Sequence, residues 1–245
     1  MQILDLVHNF KAYYEPKNIQ DNMSMIAIPF AVDIEKVKAV FGCGDRELFE
    51  KIKSANLYDH YANLDDSYPS EYYFDFDQAL EDIIFKYVKP EDRISKSSFL
   101  GLVKSKPASG LNENLGHGYG YVLLVICDYL GTHLLPHCDG FYYGRDFQAA
   151  FEIMKEKGLK IDFGEMFEPH QVFDIPKIAD FPAINSFTKQ DIEHFNSIMD
   201  KVEIDESEAD DNNDDFDEVQ GMLKDIRDSF RTCKDKNVEM ITFTH

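Results

Sequence analysis

Basic residues are scarce in this 245-residue chain: 25 lysines and arginines stand against 46 aspartates and glutamates, giving a formal charge of -21 and a pI near 4.6. Neutralising phosphates needs clustered Lys and Arg, so that balance argues against nucleic acid and against an anionic membrane surface as partners. Cysteine is sparse as well. Cys43, Cys127, Cys138 and Cys233 are too few for a disulfide scaffold, and Cys127 and Cys233 fall on apolar stripes where a reduced thiol packs as a small hydrophobe, so free thiols are expected. No apolar run exceeds Tyr121–Cys127, far short of the ~20 residues of a membrane span. The opening Met1–His8 has neither a basic flank nor a small-residue cleavage site, so no signal peptide is read there and a cytoplasmic location is expected.

Catalytic motifs are missing too. There is no Gly-x-Ser-x-Gly elbow, Walker loop or His-Glu-x-x-His helix. His133 and His137 have a spacing that would suit two ligands on one helix face, with Cys138, Cys127 or His117 as further ligands. Pro136 interrupts such a helix, however, and no Glu follows His133, so no metal and no cofactor are expected. Gly116-His117-Gly118-Tyr119-Gly120 has Tyr121 where a dinucleotide fingerprint needs its third glycine, and it reads as a tight turn.

What is present is enough for a core: 44% of residues are hydrophobic. Met23–Val32 reads as a strand that Pro29 confines to an edge or a bulge. Asp33 can cap a helix carrying Ile34, Val37 and Val40 with Gly42 as its stop, and Asp45 a second carrying Leu48, Phe49 and Ile52. Asp75 precedes a one-faced pattern from Phe76 to Val88, ended by Pro90. Tyr119–Leu130 suits a buried strand or a helix buried all round, and its length with Gly131 favours the helix. Helices follow over Phe147–Lys157, over Lys189–Val202 behind a Thr188/Asp191 capping box, and from about Asp215 to Cys233. Val238–Thr244 alternates as a strand. The expected fold is α+β: a mainly helical single domain with a small sheet that includes the N-terminal (about 23–32) and C-terminal (about 238–244) strands.

Two acidic segments remain. Glu203–Glu218 holds ten carboxylates and no basic residue. Counted as an EF-hand from Asp211, the sixth residue is Phe216 and the twelfth Met222, so that loop fails. The segment is read as a solvated, mobile insertion at about 203–215, either merely solubilising, meeting a basic partner or binding cations weakly and diffusely. In Leu57–Asp77, seven Tyr and Phe residues alternate with six carboxylates. Tyrosine supplies contact area at low entropic cost and carboxylates complement a Lys/Arg surface, so Asp65, Asp66, Tyr68, Tyr72 and Tyr73 are the candidate partner-binding residues. The alternative is that these aromatics simply cover the core from a long loop.

Tyr119-Gly120-Tyr121 leading to Cys127-Asp128-Tyr129-Leu130-Gly131, then Asp180-Phe181-Pro182 and Phe243-Thr244-His245, resemble a family of small bacterial proteins known as a domain of unknown function. The resemblance runs from about Val32 to His245, outside the acidic insertion, and implies a bacterial cytoplasmic protein without bringing a catalytic residue. In character, not in motif, the chain is similar to immunity proteins. The expected function is an acidic binding protein of the immunity or inhibitor kind that neutralises a basic toxin or effector. The alternative is an enzyme of unrecognised type with His117, and His133 or His137, around a pocket near Gly116–Gly120.

Overall fold

The computed structural model describes residues 25–63, 74–93, 109–136, 140–160, 170, 172–179, 181–204 and 218–245. Its elements run in the order β1 (Ile26–Val32), α1 (Ile34–Val40), α2 (Arg46–Ile52), α3 (Tyr58–Ala62) and α4 (Phe76–Glu81), which continues as a π-helical turn over Asp82–Lys86. Then come α5 (Gly116–Leu130), β2 (Thr132–His133), β3 (Phe141–Tyr142), α6 (Arg145–Glu156), β4 (Ala183–Phe187), α7 (Lys189–Met199), α8 (Glu218–Lys236) and β5 (Glu239–Thr244). This is the α+β, mainly helical arrangement expected, with the two outlying strands paired in one sheet. Among the described residues no helix is long and apolar enough to cross a membrane.

Local chemistry sets the helix starts. Asp33 accepts from the N–H groups of Glu35 and Lys36, Asp45 from Glu47 and Leu48, and Asp75 from Gln78. Thr188 and Asp191 complete a reciprocal capping box. Each such cap stabilises its helix by about 1 kcal/mol. Gly42 follows α1 at φ +63°, where its N–H reaches Ile83 O and a Cβ would lie 2.6 Å from Tyr87 O, so only glycine fits. The Phe76–Val88 pattern stops at the π turn, before Pro90, which opens a short 3-10 turn instead.

The sheet is antiparallel, in the order β2-β1-β5-β4 with β3 also on β1. β2 and β3 are two halves of one interrupted edge strand: Ala31 pairs with Thr132 and Ala27 with Phe141. Pro29, expected at an edge or bulge, lies inside an internal strand, between those two pairs. Its carbonyl accepts from Leu134 N–H, so its missing N–H faces the break between β2 and β3. The edge strand gives way where β1 has no donor to offer it.

Both faces of the sheet are covered, which is why β1 reads as continuously apolar. Ile28, Phe30, Val32, Ile184, Ile241 and Phe243 face one cluster with residues of α1–α5, while Ala27, Ala31, Phe187 and Met240 face a second with α6–α8. In the second, Phe195 and Phe230 stack with centroids 4.0 Å apart and Phe187 meets both edge-on. Truncating one such ring to Ala costs about 3–5 kcal/mol. One sheet serves both clusters, so the two layers of helices form a single domain.

Candidate functional site

Helix α5 runs through the centre of the first cluster, with Tyr119 and Val122 to Cys127 at 0% exposure. The expected turn at Gly116–Gly120 is its first turn and a half. The glycines are there for approach, not for reversal. A Cβ on Gly116 would fall 2.8 Å from Lys177 C and closer still to its carbonyl oxygen; on Gly118, 2.8 Å from the Phe74 ring; on Gly120, 2.9 Å from Pro182. Low helix propensity hid this, because the compensating contacts come from distant segments.

One side of this turn carries a cluster of rings. Tyr121 stacks on Tyr61 (centroids 5.4 Å, 26°) and on Phe74 (6.4 Å, 8°), and His245 lies 6.4 Å from Tyr61 and 6.5 Å from Tyr121. His60 meets the Tyr61 ring edge-on at 4.8 Å, and His117 meets Phe74 at 5.4 Å. The backbone of His245 is paired with Ile26, but its ring Nδ1 is buried without a hydrogen bond. Burial, helped by His60, holds this imidazole below the ordinary histidine pKa.

The acidic and aromatic stretch starts and ends at this cluster. Asp65, Asp66, Tyr68, Tyr72 and Tyr73 lie outside the described residues, between Asn63 after α3 and Phe74. Its described members are engaged with the fold. Tyr61 and Phe76 are buried, Tyr58 donates to Asp77, and Lys53 Nζ donates to the other Asp77 oxygen at 2.5 Å while standing over the Tyr58 ring. Burial would raise the Asp77 pKa, yet the hydrogen bonds from Lys53 and Tyr58 outweigh it and hold the carboxyl below its usual value. For these residues, core cover is the role the geometry shows.

A second polar group, which sequence reasoning missed, sits on the other flank of α5. Asp82, in the π turn, accepts from Lys86 Nζ (2.6 Å), Gln78 Nε2 (3.0 Å) and Tyr119 OH (2.9 Å), while the Tyr119 oxygen accepts from Asn112 N–H (2.9 Å). Burial and then Asp82 push the Tyr119 pKa up to about 12, so the phenol stays protonated and serves as a donor. Nearby, Asp174 accepts from Tyr87 OH at 2.7 Å and from Arg93, tying the 87–93 stretch to the segment that holds Asp174. Asp82 lies 37 positions from Tyr119, and no local pattern announces the pair.

Of the histidines expected around one pocket, His117 and His133 are not brought together. His117 is in the first turn of α5 and His133 follows its far end, ~20 Å away at 1.5 Å per residue, with its ring stacked on Phe30. His137 and Cys138 lie outside the described residues. Cys127 is fully buried, and burial with Asp128 raises its thiol pKa. Cys43, Cys127 and Cys233 are free thiols. Among the described residues no three His, Cys, Asp or Glu side chains converge as metal ligands.

Along the sequence, Glu203–Glu218 carries ten of the 46 carboxylates and no basic group. A family model described as Domain of unknown function (DUF7691) matches residues 23–245, a wider span than the resemblance above, since it starts before Val32 and takes in the acidic insertion. No curated protein and no solved structure matches the chain.

Proposed function

From the premise that the chain belongs to the family of Domain of unknown function (DUF7691) over residues 23–245, we propose that it is an acidic binding protein of the bacterial cytoplasm that occludes a basic partner, as an immunity or inhibitor protein does a toxin. The acidic excess carries this reading: of the net charge of -21, the ten carboxylates of Glu203–Glu218 account for less than half, so the excess is spread along the sequence. Such an excess steers a cationic protein to the surface from about a Debye length away, roughly 8 Å at physiological salt, and raises the association rate. Tyr61 and Phe74, which come before and after Asp65, Asp66, Tyr68, Tyr72 and Tyr73 in the chain, both stack on Tyr121.

The test is capture of a partner from bacterial lysate at low salt, followed by kinetics with that partner purified. Reversing Asp65 and Asp66 to Lys should slow association and flatten its salt dependence. Tyr68→Ala or Tyr72→Ala should speed dissociation ~5–30-fold, the equivalent of about 1–2 kcal/mol at an interface aromatic. Unchanged rates in all four variants, with folding intact, would rule out this surface and leave Glu203–Glu218 as the place to look.

A further inference from the structure

On the side of the sheet covered by α6–α8, the register across β1, β5 and β4 defines three rows of side chains. They are Ala31, Met240 and Phe187; then Pro29, Thr242 and Asn185; then Ala27, Thr244 and Ala183. The first row holds the large apolar groups of the second cluster. The next two hold nothing larger than asparagine, yet all six residues are buried, with Thr242 at 0% and Thr244 at 1% exposure.

The two threonine hydroxyls have no hydrogen-bond partner. Asn185, directly across from Thr242, directs its Oδ1 to Ser186 N–H at 2.6 Å. A hydroxyl sealed in a core without a partner loses its hydration and regains nothing, which costs more than an ordinary hydrogen bond contributes. Valine has the same shape and would avoid that cost. The hydroxyls stand two residues apart on one face of β5, ~7 Å along the strand, a span that one or two linked waters bridge. The six side chains include no charge, and their burial leaves no opening for a large molecule. Both points select a small, neutral, hydrogen-bonding occupant.

We propose that this end of the sheet is an internal hydration site, with water held between β5 and the overlying helices by Thr242 Oγ1 and Thr244 Oγ1. The small neighbours Ala27, Ala183 and Pro29 make the room, and the hydroxyls fix the water.

Thr242→Val and Thr244→Val, made separately in the full chain, keep volume and remove the hydroxyl. Each should lower the melting midpoint by about 2–4 °C, as the water loses a ligand. A rise in the midpoint would show that the hydroxyls were dry and overturn the proposal. Should either variant fail to fold, the wild-type chain labelled at its threonine methyls decides. Cross-relaxation from water to Thr242 and Thr244 is expected, and its absence at both overturns the site. Native mass spectrometry showing a bound organic solute would equally overturn water as the occupant.

Discussion

Replacing Gly116 by alanine sets two effects of opposite sign against each other. Propensity alone favours the variant: alanine is better than glycine by up to about 1 kcal/mol inside a helix, and by less at a first helical position such as this one. Packing opposes it. The new methyl would sit 2.8 Å from Lys177 C, closer to its oxygen, and 3.0 Å from Pro176 O, all backbone atoms that no rotamer change can move. Carbon contacts settle near 3.5–4.0 Å, so the 176–177 backbone must retreat by most of an ångström, and overpacking of this kind costs about 1–3 kcal/mol. The net expectation for Gly116→Ala is a loss of about 1–2 kcal/mol, or roughly 2–8 °C in melting midpoint for a chain of this size. Gly120→Ala, which meets the Pro182 ring at 2.9 Å and the flexible end of Ile178 at 3.0 Å, should lose less. Gly144→Ser, with nothing within 4 Å and a position as the N-cap of α6, should gain a few tenths of a kcal/mol. Thermal melts and urea titrations of the three variants give the order. A Gly116→Ala protein more stable than wild type would mean that propensity dominates and that the close approach to residues 176–177 is wrong.

Three other outcomes follow from the site. Asp82→Ala strips Tyr119 and Gln78 of their acceptor and should cost about 2–3 kcal/mol in urea titration, against about 1 kcal/mol for Tyr119→Phe; equal stability of Asp82→Ala and wild type would show the network to be idle. The His245 pKa is lowered on folding, so from about pH 6.5 down to its folded value the unfolded chain takes up a proton that the folded chain refuses, and stability falls with falling pH; His245→Asn should flatten the stability profile in that window, and an unaltered slope would refute the assignment. With Ellman's reagent, exposed Cys43 should react in the native protein while Cys127 and Cys233 wait for unfolding, and rapid labelling of either buried thiol would contradict its burial.

The local parts of this fold were readable from sequence and the non-local parts were not. Asp33, Asp45, Asp75 and Thr188 announce helices because a cap and the apolar positions behind it lie within a few residues of one another. The same local view misreads Gly116–Gly120, since the surfaces that require glycine there belong to Phe74, Lys177 and Pro182. It also places Pro29 at an edge, because nothing nearby reveals a partner strand that breaks opposite it. For the candidate site, the aromatic content of Leu57–Asp77 was evident, but the convergence of Tyr61, Tyr121 and His245 depends on α3, α5 and β5 meeting, and no spacing rule reaches so far.

The β1–β5 ladder joins residues more than 200 positions apart, and both apolar clusters rest on it. Neighbouring helices such as α7 and α8 can find each other early, but neither layer has a finished wall to lie against until that distant pairing closes. Closing a loop adds only ~0.6 kcal/mol for each doubling of its length, so the ladder burdens stability little; its weight falls on time. Chains dominated by such remote pairings fold in milliseconds to seconds, and here a single event of that kind gates two cores at once. Until it occurs, the inner edges of β1 and β5 are open to pairing with other chains, and the interval before closure is the period of greatest exposure to misassembly.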